Sequence, residues 1–297
     1  SYTPPTPAYP GVTILEDFPL EEIKKYIDWT PFFQAWELAG KYPAILTDEV
    51  VGEAATDLFK DLNKLMDDTI KGKWLQANGV IGLWPANTVE DDLIEIYEDD
   101  TRTNVLKTLI TRRQQQQKAA GLPNISLSDF IAPKESGVKD YIGGFAVTGG
   151  MNIENKLEEF EANHDVYNAI MFKALADRFA EAFAECLHHK VRTHYWGYAS
   201  DENLNNEDLI KETYRGIRPA PGYPACPEHS EKGKLFELMD ATRNTGITLT
   251  ESYAMTPTAA VSGWYFSHPD SKYFGVGEIL EDQMGAWKEY EFEMEEE

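Results

Sequence analysis

Cysteine is nearly absent: the 297 residues hold only Cys186 and Cys226. Two distant thiols cannot build a disulfide framework, so the expected home is a reducing compartment, the cytoplasm. Basic residues are also scarce, 27 Lys and Arg against 51 Asp and Glu, for a net charge of −24. That balance excludes general nucleic-acid binding, which needs cations to neutralise phosphates. It equally disfavours docking on an anionic membrane surface. No apolar run approaches the roughly 18 residues of a membrane span. The first residues lack the basic-then-apolar pattern of a secretory signal. Phosphate-binding and nucleophile signatures are missing too. There is no G-x-x-x-x-G-K-[ST] and no G-x-S-x-G, and Gly143-Gly144 and Gly149-Gly150 do not fit G-x-G-x-x-G opening a helix.

What is present suits a globular chain with a sizeable core: 42% hydrophobic and 26% charged residues. Four prolines among the first ten residues describe an extended stub. Residues 1–15 are read as a linker and 16–297 as one domain, a module cut from a longer protein. Helices are expected at 19–27, from Thr30 with Pro31 at its first position, and over Glu53–Lys71. The period then changes. Gly79–Trp84, Asp92–Tyr97 and Tyr141–Thr148 read as strands, the first two joined by a hairpin loop over 85–91. Residues 154–196 carry apolar side chains at spacings of three and four. A continuous helix there would be about 60 Å long, so a bend is expected at Asn163-His164-Asp165. Short helices are expected at 203–214 and 232–245, strands at 248–255 and 261–266, and a closing helix from about Gly277. The class is α+β.

Candidate chemistry is sparse. Cys226-Pro-Glu-His229 does not complete the four-ligand set that structural zinc wants, and no metal site is assigned. Asp177, Glu181 and Glu185 recur at helical spacing. Such a row is an acid–base site, a partner-docking strip or simply a solvated face. Arg218-Pro-Ala-Pro-Gly-Tyr-Pro-Ala-Cys-Pro-Glu-His229 has four prolines in twelve residues and must be a stiff loop. Arg218 at its start offers a planar fork for a carboxylate.

This loop resembles the signature of the C-terminal activation domain of cobalamin-dependent methionine synthase. Tyr26-Ile-Asp-Trp-Thr-Pro-Phe-Phe33, Ala39-Gly-Lys-Tyr-Pro43, Asp48-Glu-Val-Val-Gly52 and Ala174-Leu-Ala-Asp-Arg178 are similar as well. So are Tyr195-Trp-Gly-Tyr198 and Ser262-Gly-Trp-Tyr-Phe-Ser-His-Pro-Asp-Ser-Lys-Tyr273. The likeness runs from about Tyr9 to Gln283 in the family's order. It implies a C-shaped fold on a twisted antiparallel sheet flanked by helices, not a Rossmann-like methyltransferase, with S-adenosylmethionine as the bound cofactor. On this likeness Asp28 pairs with the ligand's ammonium, Arg218 grips its carboxylate, and Ala220 offers backbone contacts to the adenosine. Tyr273 lies by the methyl-sulfonium. Phe274 stands where the family carries a second tyrosine. Asp177 and Glu181 match acidic residues associated with domain docking.

The implied role is repair: reductive methylation of inactive cob(II)alamin, the cobalamin being presented by another domain of the same parent chain. The electron donor would be flavodoxin or a flavoprotein reductase. The parent transfers methyl groups from 5-methyltetrahydrofolate to homocysteine, which this chain alone is not expected to do. A different reading is a non-catalytic S-adenosylmethionine sensor or docking module that shares the fold.

Overall fold

The computed structural model describes residues 1–280 and Gln283. Its frame is a pair of long antiparallel strands, β2 (Gln76–Val89) and β5 (Asp140–Met151), in register from Gln76↔Met151 to Ala86↔Asp140 with a bulge after Gln76. On the far side of β2 lie β1 (Gly11–Leu15), opposite residues 79–83, and β3 (Leu93–Tyr97), opposite residues 86–89. Then β4 (Val105–Ile110) pairs with β3, and β8 (Ala260–Tyr265) closes the other edge against β5. Every pairing in this six-stranded sheet is antiparallel. The class is α+β and not a parallel, doubly wound sheet.

Successive strand residues point to opposite faces, and here both faces are covered. Ile81, Leu83, Phe145 and Val147 enter one hydrophobic cluster, whereas Val80, Trp84, Ile142 and Ala146 enter another. Two-sided burial is why 79–84 reads as an almost continuous apolar run rather than an alternating one. The first face carries α1 (Leu20–Lys24), α2 (Thr30–Ala35), α3 (Gly52–Gly72) and α5 (Val166–Lys190). On α3 the stripe Leu58, Leu62, Leu65, Met66 is buried. The second face carries α7 (Glu231–Met239) and α8 (Ala241–Thr245). Helix α5 lies close on the sheet. A Cβ added at Gly149 would sit 2.7 Å from the Ala180 backbone nitrogen, so glycine is required for that approach. Phe183, wholly buried on α5, stacks on Phe18 at 4.9 Å, and truncating it to alanine should cost about 3–5 kcal/mol.

The expected bend in 154–196 is a break. Helix α4 (Ile153–Ala162) ends, His164 takes φ 55°, and the Asp165 side chain accepts the Asn168 N–H to start α5. Beyond Lys190 the chain passes into a π-helical turn, Val191–Tyr195. The first four strands have a different plan from the sequence expectation. The expected hairpin loop over 85–91 is mostly β2, with Pro85 in the gap between β1 and β3 where neither ladder needs its N–H. The turn itself is Glu90-Asp91, both at positive φ. Strand β4 lies outside the sequence expectation.

Helix 232–245 is divided by Asp240 at φ 47°, and helix 203–214 shrinks to α6 (Asn206–Ile210), held by an Asn205/Asp208 capping box. The strand expected over 248–255 is two short pieces, β6 (Thr248–Leu249) and β7 (Met255–Thr256). The closing helix expected from Gly277 lies almost wholly outside the described residues.

The leader also departs from its reading as a linker. Residues 11–15 are strand β1, because Leu15, Thr13 and Gly11 find partners along β2. Before them, the Trp196 indole N–H donates to the Pro5 carbonyl at 2.9 Å, and the Ala8 and Tyr9 amides donate to the Trp196 and Tyr195 carbonyls. Pro4 and Pro7 are buried. Proline suits such a strap, since it holds an extended course with few amides to satisfy.

Candidate ligand groove

The 218–229 loop is placed by strand β8. The Trp264 backbone N–H donates to the Pro219 carbonyl at 2.9 Å, and a Cβ at Gly263 would lie 2.8 Å from that same oxygen. Glycine at 263 therefore lets the loop lie directly on the strand. Inside the loop the Gly222 amide donates to the Cys226 carbonyl at 2.7 Å and the Cys226 amide to that of Tyr223 at 2.9 Å. Its stiffness is thus built from prolines and two tight turns.

Between this loop, α5 and the start of α2 runs a groove with two chambers. The smaller, about 320 Å³, is lined among others by Tyr26, Asp28, Arg178, Glu185 and Ile210. The larger, about 580 Å³, is lined by Pro219, Ala220, Tyr223, Val261, Tyr273 and Phe274. Glu181, Glu212 and Arg218 border both. A depression of about 760 Å³ formed by the β2–β3 turn and residues 128–135 is roomier. It shares no residue with the groove and has an acidic rim without a converging set of donors, so size alone does not mark the site.

Of the residues singled out from sequence, Asp28, Arg218, Ala220, Tyr273, Phe274 and Glu181 all meet in this groove. Asp177, one turn before Glu181 on α5, lines neither chamber, and partial burial pushes its carboxyl above the ordinary range against the pull of Arg178. Asp28 accepts the Thr30 N–H at 3.1 Å, which fixes its carboxylate at the start of α2. The Tyr273 hydroxyl accepts the Arg218 backbone N–H at 2.9 Å. Phe274 packs edge-on to Phe130, with ring centroids 6.4 Å apart.

Arg218 is the most constrained of these. Its guanidinium donates to Glu185 and to the Tyr214 hydroxyl at 3.0 Å, and it contacts His188 Nδ1 at 2.9 Å. Burial opposes its charge, but Glu185, Tyr214 and Tyr273 outweigh that and hold it protonated above its ordinary value. Burial first, then Arg192, Arg218 and His189, press the His188 imidazole well below its ordinary range. Behind it Arg192, fully buried, makes a two-pronged pair with Glu202 at 2.7 and 3.1 Å and lies 3.9 Å over the Tyr214 ring.

Sequence reasoning noted Glu185 only as the third member of a row, and it did not place Glu212 at the groove or Tyr214 and His188 beside Arg218. Glu185 carried a signal, since it continues the Asp177–Glu181 spacing. Glu212 carried none: it reaches the groove because the turn after α6 puts it at φ 55°.

A family model described as the activation domain of vitamin B12-dependent methionine synthase matches residues 19–291. The chain belongs to this family. A crystal structure of the MetH reactivation domain bound to AdoHcy is similar to it, with 57% sequence identity and a TM-score of 0.95. That likeness covers 98% of this chain and 88% of the other. In this activation domain both Arg218 and the proline-rich loop sit at the groove, and Phe274 lines the larger chamber.

Proposed function

We propose that the groove binds S-adenosylmethionine, with Asp28 taking the ligand's ammonium, Arg218 its carboxylate, and the larger chamber its adenosine. The observation that carries this reading is the convergence of Asp28 and Arg218 on one smaller chamber, continuous through Glu181 and Glu212 with a larger apolar one. An amino-acid head wants opposite charges a few ångströms apart, and a purine wants a partly apolar wall with backbone groups. The bound AdoHcy of the similar MetH domain supports the choice of ligand class.

Bound S-adenosylmethionine supplies an electrophilic methyl on a sulfonium. The residues of this chain bind and orient: the loop from Arg218 to Ala225 fixes the ligand's long axis, and the acidic Glu181 and Glu212 favour its cationic centre. Tyr273 holds the loop through the Arg218 amide. Such positioning is a large share of what a protein contributes to group transfer.

The parent reaction, methylation of homocysteine from 5-methyltetrahydrofolate, belongs to this reading. So do a cobalamin-bearing domain as partner, a flavodoxin or flavoprotein reductase as electron donor, and a cytoplasmic location. Isothermal calorimetry tests the core of the reading: S-adenosylmethionine should bind at one site per chain and be displaced by S-adenosylhomocysteine. No heat from either ligand at millimolar concentration would refute it.

A further inference from the structure

An arginine side chain has five N–H donors and no acceptor. Three of those on Arg218 are committed within the protein: to Glu185, to the Tyr214 hydroxyl and to His188 Nδ1. Because a guanidinium only donates, His188 Nδ1 must accept, and the imidazole is the neutral tautomer with its proton on Nε2. That ring is clamped, stacked on Tyr265 at 5.2 Å and set edge-on to Tyr214 at 4.8 Å. Among the described residues, two N–H groups of Arg218 remain for a ligand.

Glu185 shares the smaller chamber with Arg218 and is 7% exposed. One of its oxygens accepts from Arg218, and the described residues offer the other, Oε1, no donor. A ligand carboxylate that takes the two remaining N–H groups must therefore share one cation with a carboxylate already in place. At such separations, in a partly buried site, two like charges repel appreciably.

We propose that Glu185 is a resident counter-ion that competes with the ligand's carboxylate for Arg218 and so sets the affinity of the groove for that group. The proposal rests on the reading that Arg218 takes the ligand's carboxylate. In the ligand-free groove Glu185 balances a buried charge that would otherwise be costly. His188 and Tyr214 hold the guanidinium in place while it is shared. The opposing idea is that Glu185 only holds Arg218 in position.

Glu185→Gln separates the two, since it keeps the shape and an acceptor but removes the charge. Competition predicts tighter binding of a carboxylate ligand, whereas a holding role predicts weaker or equal binding. The experiment is calorimetry on wild type and Glu185→Gln with S-adenosylhomocysteine and with its carboxamide, which differs only at the contested group. Expected are a gain of about tenfold for the carboxylate ligand and a change below about threefold for the carboxamide. Unchanged or weaker carboxylate binding overturns the proposal, as does an equal gain for both ligands.

If the variant does not fold, the wild-type preference decides. A guanidinium already compensated should favour the carboxylate over the carboxamide by less than about tenfold, and a preference above about a hundredfold overturns the idea. The underlying reading fails separately: Arg218→Gln would then leave the ratio of the two affinities unchanged.

Discussion

Replacing Arg218 by alanine separates what this residue does for the ligand from what it does for the fold. Two donors remain free on its guanidinium among the described residues, and hydrogen bonds to charged groups contribute about 1.5–3 kcal/mol. Affinity for S-adenosylmethionine should fall by that amount, roughly 10- to 150-fold in Kd. Stability should fall as well, because Glu185, whose side chain is 10% exposed, is left as an uncompensated buried carboxylate. Breaking such a pair by removing one partner costs about 3–5 kcal/mol. The double variant with Glu185→Gln should recover much of the melting temperature without restoring the affinity that the guanidinium supplies. Isothermal calorimetry gives the affinity and differential scanning calorimetry the stability. Arg218→Lys, which keeps the charge but loses the fork, guards against an unfolded alanine variant. An affinity unchanged within error in a folded Arg218 variant would refute the site assignment.

The same geometry fixes three other outcomes. A histidine in the unfolded chain protonates near pH 6.5, whereas His188 resists protonation through burial and the nearby Arg192, Arg218 and His189. Its contribution is therefore whole above pH 6.5 and drains as pH falls below that value, at about 1.4 kcal/mol per pH unit. Denaturant titrations at several pH values should show wild type losing stability relative to His188→Asn on that slope, and a constant difference would contradict it. Tyr273→Phe removes the acceptor of the Arg218 amide, so stability should drop by about 0.5–1.5 kcal/mol. Hydrogen exchange at that amide should quicken, which NMR can follow. Trp196→Phe deletes the donor to the Pro5 carbonyl, costing about 1 kcal/mol, and the leader should become the first site of limited proteolysis.

The parts of the fold legible in the sequence are those where one local signal decides. Thr30-Pro31 opens α2, the apolar stripe marks α3 and α5, and Asn163-His164-Asp165 breaks the long run. The parts that were not legible depend on partners distant in sequence. Pro85 reads as a turn residue, yet it is accommodated in β2 because β1 and β3 leave a gap on that edge. The leader reads as a linker from its prolines, yet the carbonyl and amides it leaves free are matched by Trp196 and Tyr195 from far along the chain. At the groove, the proline-rich loop stood out by its composition, whereas the Asp28 segment was read only through the family resemblance. Glu185 and His188 were not legible as partners of Arg218, since helical spacing shows which residues share a face but not what that face meets. The burial of His188 is invisible in a string that reads Leu-His-His-Lys.

Helix α5 joins these features. Its exposed flank brings Glu181 to the groove, its buried flank brings Glu185 and His188 to Arg218, and the π-helical turn at its end redirects the chain toward Trp196. A π-helical turn changes the angular spacing of side chains, and such turns recur at functional sites. Here Arg192 points into the interior, against Glu202 and over the Tyr214 ring. Tyr195 and Trp196 meanwhile present their carbonyls to the leader. Contacts from this turn thus run two ways: Trp196 to Pro5 of the leader, and Arg192 over the Tyr214 ring, whose hydroxyl accepts from the Arg218 guanidinium. In a chain with a net charge of −24, two arginines are held within this set, each bound to its own carboxylate. The acidic excess thus serves locally as counter-charge, and the contested cation of the groove is Arg218, which already has a partner before a ligand arrives.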